Sequence, residues 1–159
     1  MDDFISTKKV QALRHLRRRR GLCLGTTNGC FDLLHPGHIQ FLRDCKERLG
    51  PPSLTFLLVL VNSDQYCRRT KGDDRPIIPQ ANRIQMVRGI KGVGAAYLFS
   101  ENTPEKWIRR LRPDVHFKGA DWQQARVPES AYATVEYVPL LDGFSTTDLI
   151  DRIRKGRND

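Results

Sequence analysis

Cysteine is scarce in this sequence and shows no ligand spacing. Cys23, Cys30, Cys45 and Cys67 are the whole complement. They form no CxxC pair and no paired His/Cys pattern, so they read as scattered reduced thiols and not as a zinc site or a disulfide frame. Long apolar runs are also missing. The longest, Phe56 to Val61 in "SLTFLLVLVNS", falls far short of the roughly 20 residues a membrane span requires, and the start "MDDFISTKKV" lacks the apolar core of a secretion signal. These absences predict a soluble, cytoplasmic protein with no structural metal. Internal repeats and low-complexity linkers are absent too. A length of 159 residues fits one domain over 1–159, large enough for a core of its own.

Negative charge is the minority sign, leaving a formal net charge of +9. The excess is concentrated at Arg14 and Arg17 to Arg20 in "RHLRRRRG", and again at Arg68, Arg69 and Lys71 in "CRRTKGDDR". Such a balance favours polyanions, either nucleic acid or phosphorylated small molecules. The first cluster has a plainer explanation as a helix end, because cations near a helix C-terminus complement its dipole. Aromatics are few and not interleaved with that run, which weighs against a basic nucleic-acid-binding module.

Periodicity organises the rest. Val10, Leu13 and Leu16 recur at helical spacing behind Ser6 and Thr7 and before Gly21, predicting an N-terminal helix over about 7–19. "LCLGTT" reads as a short buried strand. Pro36 is well placed as a first helical residue, and Ile39, Leu42, Cys45 and Leu49 form one stripe ending at Gly50. "SLTFLLVLVN" is unalternating and apolar, as expected of a central strand covered on both faces. The sequence "SDQYCRRTKGDDRPIIP" reads as a polar loop, Gln80 to Ile90 as a helix, and "AAYLF" as a strand. "TPEKWIRRLR" reads as a helix capped by Thr103 with Pro104 first. Strand "VHFKG", an irregular stretch, strand "TVEYV" and a helix over about 145–155 complete the chain.

This alternation predicts an α/β fold, a Rossmann-like doubly wound domain with a five-stranded parallel sheet and helices on both faces. Ligands in such folds bind beyond the carboxyl ends of the strands, near the point where strand order reverses. The loops after the first, second, fourth and fifth strands therefore rank highest. They hold "TTNGCFDLLHPGH", "NSDQYCRRTKGDDRP", "KGADW" and "LLDGFSTT".

Within the first of these, His35 and His38 lie about one turn apart at a helix N-terminus. Free backbone N–H groups and the positive dipole end already attract anions there, and two imidazoles extend that site toward phosphate oxygens. Gly37 lets a ligand approach the backbone closely, and Gly29 can do the same for a base or ribose. A single histidine would be read as a helix cap or a packed side chain. A pair spaced HxGH at a strand-to-helix junction points to function.

At these residues the chain resembles a known family. "GCFDLLHPGHIQFL" looks like the signature of nucleotidyltransferases of the cytidylyltransferase-like superfamily. The likeness extends through "VNSD", "TKGDDRPIIPQANRIQMV", "VGAAYLFSENTPEKWI", "RPDVHFKGADW" and "GFSTTDLIDRI". These blocks are most similar to the heptose-phosphate adenylyltransferases, which make ADP-activated heptose, a lipopolysaccharide precursor. Many bacteria fuse that transferase behind a sugar kinase domain, and this chain resembles the stand-alone form.

The resemblance implies attack of a sugar 1-phosphate on the α-phosphorus of ATP, giving ADP-heptose and pyrophosphate. The nucleophile is an ionised phosphate oxygen, so the site must supply in-line positioning and stabilisation of negative charge, not a strong base. It implies catalytic roles for His35, His38 and Lys71, with Arg68 and Arg69 near Lys71. It assigns nucleotide binding to Gly29, Cys30, Phe31 and Gly37 around the histidines, to Arg83, to Lys118 and Asp121 in "KGADW", and to Ser145 and Thr146 in "GFSTT". Ser145 also stands three residues before Asp148, a capping-box spacing. Mg²⁺ is expected to accompany ATP, with Asp32 or Asp121 reaching it through water. No metal-binding residue is assigned beyond that.

The segment "PLLDGFSTT" lacks the arginine that glycerol-3-phosphate cytidylyltransferases carry in an "RTEGIST"-like stretch, which favours the sugar-phosphate adenylyltransferase branch. Glycerol 3-phosphate and FMN remain alternative acceptors, and the nucleic-acid-binding module is the alternative of another class. A homodimer is expected, because the site loops lie together on one edge, the apolar stripe of the first helix needs cover, and relatives in the superfamily commonly pair.

Overall fold

Five parallel strands, each fed by a helix or turn that returns the chain to the same edge, make up the centre of the molecule. The computed structural model describes residues 3–156. Its elements are α1 (Thr7–Arg20), β1 (Cys23–Gly29), α2 (Pro36–Leu49), β2 (Thr55–Asn62), α3 (Asp64–Lys71), α4 (Gln80–Arg88), β3 (Val93–Phe99), α5 (Glu105–Leu111), β4 (Val115–Gly119), β5 (Thr134–Val138) and α6 (Thr146–Lys155). The sheet order is β3-β2-β1-β4-β5, parallel throughout. The chain winds outward from β1 to β3, then crosses back through α5 to lay β4 on the other side of β1. Strand order thus reverses between β1 and β4, where a crevice opens beyond Gly29 and Gly119.

β2 fixes how the layers assemble. Its side chains alternate, with Leu57, Val59 and Val61 facing Phe41, Leu42, Cys45, Ile84 and Val87 of α2 and α4. Leu58 and Leu60 face Val10, Leu13, Trp107, Ile108 and Leu111 of α1 and α5. Both faces are covered, so the strand needs no polar alternation. Close packing demands a glycine on β1: a Cβ on Gly25 would stand 2.5 Å from the Leu49 side chain.

Two local expectations are corrected. The sequence after β2 is not a loop throughout, since Asp64 to Lys71 form α3. Ser63 caps it by accepting from Tyr66 N, and Cys67, 1% exposed, is its buried anchor. With one buried residue the helix leaves little apolar periodicity to read. Lys71 is consequently the last residue of α3 and not a loop residue. In α5, Pro104 takes the capping position without a side-chain bond, while Thr103 stays exposed. The apolar stripe of α1 is covered within the chain by α5 and the sheet.

Candidate active site

The segment between β1 and α2 is held in an unusual backbone conformation. Phe31 has φ 49°, in the left-handed region that side chains other than glycine seldom adopt. Its ring is buried and lies 5.4 Å from that of His38, and a Cβ on Gly29 would come within 3.0 Å of it. The turn delivers His35 to the cap position of α2, yet its ring does not cap the helix. Instead it lies against His38 with centroids 3.9 Å apart. Gly37 makes this possible, because a Cβ there would meet the His35 ring at 3.0 Å and the Phe144 Cβ at 3.3 Å. His35 Nδ1 and His38 Nδ1 are buried atoms with no hydrogen-bond partner among the described residues.

Two adjoining cavities of about 620 and 290 Å³ meet at these groups. They share Asn28 to Phe31, His38, Gly119, Asp121, Ser145 and Thr146 as common walls. The smaller adds His35, Gly37 and the apolar Phe41, Leu140, Leu141 and Phe144. The larger adds cations, Lys71, Arg75, Lys118 and Arg126, with Tyr66, Asn102, Thr103 and Glu129 among its polar wall. α6 presents its N-terminus to both, with Ser145 Oγ accepting from Asp148 N at 3.0 Å. The smaller space suits a flat base against apolar walls, and the larger suits anions.

Every residue given a role from the sequence lines these cavities except Arg83, while Arg68 and Arg69, named beside Lys71, are exposed and line neither. Arg83 is fully buried behind the site. Nε donates to Ile78 O at 2.9 Å, Nη2 to Asn62 O and Asp64 Oδ1 at 2.8 Å each, and Nη1 to Cys30 O. It clamps the ends of β1 and β2 to α3 and α4, so its expected contact with nucleotide is corrected. Asp32 is likewise committed, accepting from Arg75 Nε at 2.7 Å and Ile78 N at 2.9 Å. These bonds hold Arg75 at the cavity wall. Among the described residues no group of three metal-ligating side chains is present.

Sequence reasoning misses Asn102, Thr103, Tyr66, Arg75, Arg126 and Glu129. The loop after β3 ranks below the others by sequence, although it closes one wall. "ADWQQARVPESA" carries no periodic signal. The charged, turn-rich composition of "KGDDRP" and the mixed charges of "QQARVPES" are the available hint.

Burial sets the electrostatics. Burial lowers His35, and burial with the neighbouring His35 pushes His38 down to about 4, against the opposing pull of Asp32. Two imidazoles in contact resist sharing positive charge, so both rings are neutral at pH 7 before an anion arrives. A polyphosphate alongside would raise both, since an opposite charge favours the charged form. Cys30 is lowered to about 7 by its contact with the Cys67 thiol, with Arg83 and Lys71 acting in the same sense and burial opposing. Burial also lowers Lys118, whose Nζ donates to Asn28 Oδ1 at 2.8 Å and stands 4.9 Å over the Trp122 ring.

The cytidylyltransferase-like family matches residues 26–150. A protein named bifunctional protein HldE from a Nitratiruptor species is 37% identical over 155 residues, 96% of this chain and 32% of the relative. Another of that name from Syntrophotalea carbinolica is 42% identical over 152 residues, 92% of this chain and 30% of the relative. The chain spans about a third of the length of these curated relatives. Among solved structures, a lipopolysaccharide core biosynthesis protein from Thermoplasma volcanium superposes with TM-score 0.60 at 25% identity, over 76% of this chain and 98% of that one. A macrolide-efflux protein from Streptococcus pneumoniae, TM-score 0.57 at 20% identity over 79% of this chain and 50% of that one, shares the fold.

Proposed function

The chain belongs to the cytidylyltransferase-like family of nucleotidyltransferases, and from that premise we propose that it transfers AMP from ATP to a sugar 1-phosphate. D-glycero-D-manno-heptose 1-phosphate is the acceptor best supported, by the likeness to proteins named HldE and to a lipopolysaccharide core biosynthesis protein. The products are ADP-heptose and pyrophosphate. One observation carries this reading. Two histidines with unpartnered Nδ1 atoms lie side by side at the open N-terminus of α2, facing a cavity that the N-terminus of α6 also enters.

The base occupies the smaller, apolar space between Phe31, Phe41, Leu141 and Phe144. Its triphosphate runs across the α2 terminus toward Ser145 and Thr146, whose helix offers free N–H groups. Phosphate charge raises the histidine pKa values, so the rings gain protons as the substrate seats and donate to the α-phosphoryl oxygens. The acceptor enters the larger cavity, its phosphate drawn by Lys71, Arg75 and Arg126. An ionised phosphate oxygen attacks the α-phosphorus in line, the bond to the β-phosphate oxygen breaks, and pyrophosphate leaves with the electron pair. No side chain need remove a proton from the nucleophile. ATP enters as its Mg²⁺ complex, and the donor set fits that arrangement, because Asp121 is the exposed carboxylate at both cavities while Asp32 is committed. The ion's chemistry is to neutralise charge on the departing pyrophosphate.

Pyrophosphate release with ATP or CTP against heptose 1-phosphate, glycerol 3-phosphate and FMN tests the proposal. The expected result is turnover with ATP and the heptose phosphate. No turnover with any pairing sinks it. His38→Ala should lower kcat at least tenfold, about 1.4 kcal/mol of barrier. A near-normal rate removes the ring from the mechanism.

A further inference from the structure

Glu129 is a buried carboxylate in the larger cavity that nothing in the reaction above uses. It sits in the short turn Pro128–Ala131 at 1% exposure and lines the cavity. Among the described residues no hydrogen-bond donor reaches either oxygen; its interaction is an electrostatic one with Lys118. Asp32, the other buried carboxylate of this cavity, is bonded through both oxygens. The Glu129 oxygens are not among the fully enclosed unpartnered atoms of the described residues, so they open to the cavity, where a ligand donor can reach them.

Charge and placement narrow the donor. A carboxylate repels phosphate, and the cavity already carries Lys71, Arg75 and Arg126 for that purpose. Glu129 does not line the smaller apolar space where a base fits. What remains for an acceptor-only group is the uncharged part of the second substrate, namely hydroxyls, and two carboxylate oxygens suit two adjacent ones. We propose that Glu129 is a specificity-determining residue that accepts hydrogen bonds from neighbouring hydroxyls of the acceptor sugar, a role resting on the sugar-phosphate reading above. A site built to bond a hydroxyl rejects the analogue without it far more strongly than shape alone could, because its own polar group is then left unpaired.

Glu129→Gln keeps the shape and removes the charge, and Glu129→Asp keeps the charge and shortens the reach. Steady-state kinetics with MgATP and heptose 1-phosphate, and calorimetry of that sugar phosphate with a non-hydrolysable ATP analogue present, are read on both variants beside melting curves. In Glu129→Gln the acceptor KM and Kd should rise at least tenfold, while the ATP KM stays within about twofold. The preference for the full sugar over its deoxy analogues should collapse, and Glu129→Asp should fall between. An equal rise in the ATP KM would assign the carboxylate to ribose or to balancing Lys118, and overturns the proposal, as does an unchanged acceptor affinity. If the wild-type chain binds the sugar phosphate without turning it over, the reaction fails and Glu129 is still judged by calorimetry. If it binds no sugar phosphate, both readings fail.

Discussion

His116 lies in the middle of β4 at 0% exposure, with Nδ1 2.9 Å from Thr26 Oγ1 and Nε2 without a partner among the described residues. Burial, helped by Lys118, pushes its pKa down to about 3 from an ordinary 6.5. The folded state therefore holds it neutral where the unfolded chain takes up a proton. Its contribution is fully present above about pH 6.5 and is lost as pH falls toward 3, because the unfolded state then binds more protons. His38, lowered to about 4, acts in the same direction. Replacing His116 by Asn preserves a partner for Thr26 and removes the titration. The stability gap between wild type and variant, measured by denaturant unfolding, should shrink by up to about 2 kcal/mol between pH 7 and pH 5. Parallel curves would show that the ring is not a proton-linked group. The sequence could not reveal this histidine, because "VHFKG" reads as a strand whichever residue faces inward. The HxGH pair is legible because the surrounding pattern places both rings at a helix start. Arg83 stands between: its position on α4 is readable, but its burial follows from Asn62, Ile78, Cys30 and Asp64 converging on it, which only the folded chain brings about.

At the scale of elements, α6 contrasts with the helices that build the core. It has 10 residues, none buried, and its exposed Arg154–Asp74 ion pair at 2.8 Å adds little. Helices shorter than about 12–15 residues are marginal when packing does not support them. Local capping therefore carries an unusual share of its order. Ser145 supplies the cap and also lines both cavities. Ser145→Ala should cost about 1 kcal/mol of helix stability. Because α6 contributes no buried side chain, the loss should appear as roughly fivefold faster amide exchange over 146–155, with the global Tm almost unchanged and the ATP KM raised. A Tm drop as large as the local loss would mean that α6 folds as one unit with the core. The same contrast explains which elements sequence reasoning recovers. β4 and β5 are readable to the residue and α2 nearly so, since core stripes and Pro36 mark them. α3 reads as loop because Cys67 alone is buried, and a helix that offers one residue to the core leaves no period to detect.

Over the whole molecule, the two basic regions separate to opposite edges of the sheet. Arg17 to Arg20 end α1 immediately before β1 begins, and so sit at the amino edge. Arg17 donates to Arg112 O at 2.7 Å and pairs with Asp114, tying α1 to the start of β4. Lys71, Arg75, Lys118 and Arg126 surround the cavity at the carboxyl edge. The sheet order that creates this division, with β4 returned to the far side of β1, cannot be deduced from alternating elements alone, although the alternation is enough to place the ligand loops together. A formal charge of +9 thus serves two surfaces that one experiment can separate. Nucleotide binding to the folded chain raises its stability by about 2.7 kcal/mol at a ligand concentration about 100 times Kd. For a chain of this size each kcal/mol moves Tm by about 2–4 °C, so MgATP should raise it by roughly 5–10 °C. A triple variant, Arg18→Ser, Arg19→Ser and Arg20→Ser, should keep that shift, because its changes lie at the other edge. Any residual RNA binding should weaken and lose salt dependence, as fewer counterions are released. Loss of the MgATP shift in the triple variant would place nucleotide binding at the amino edge and overturn the assignment of the cavity.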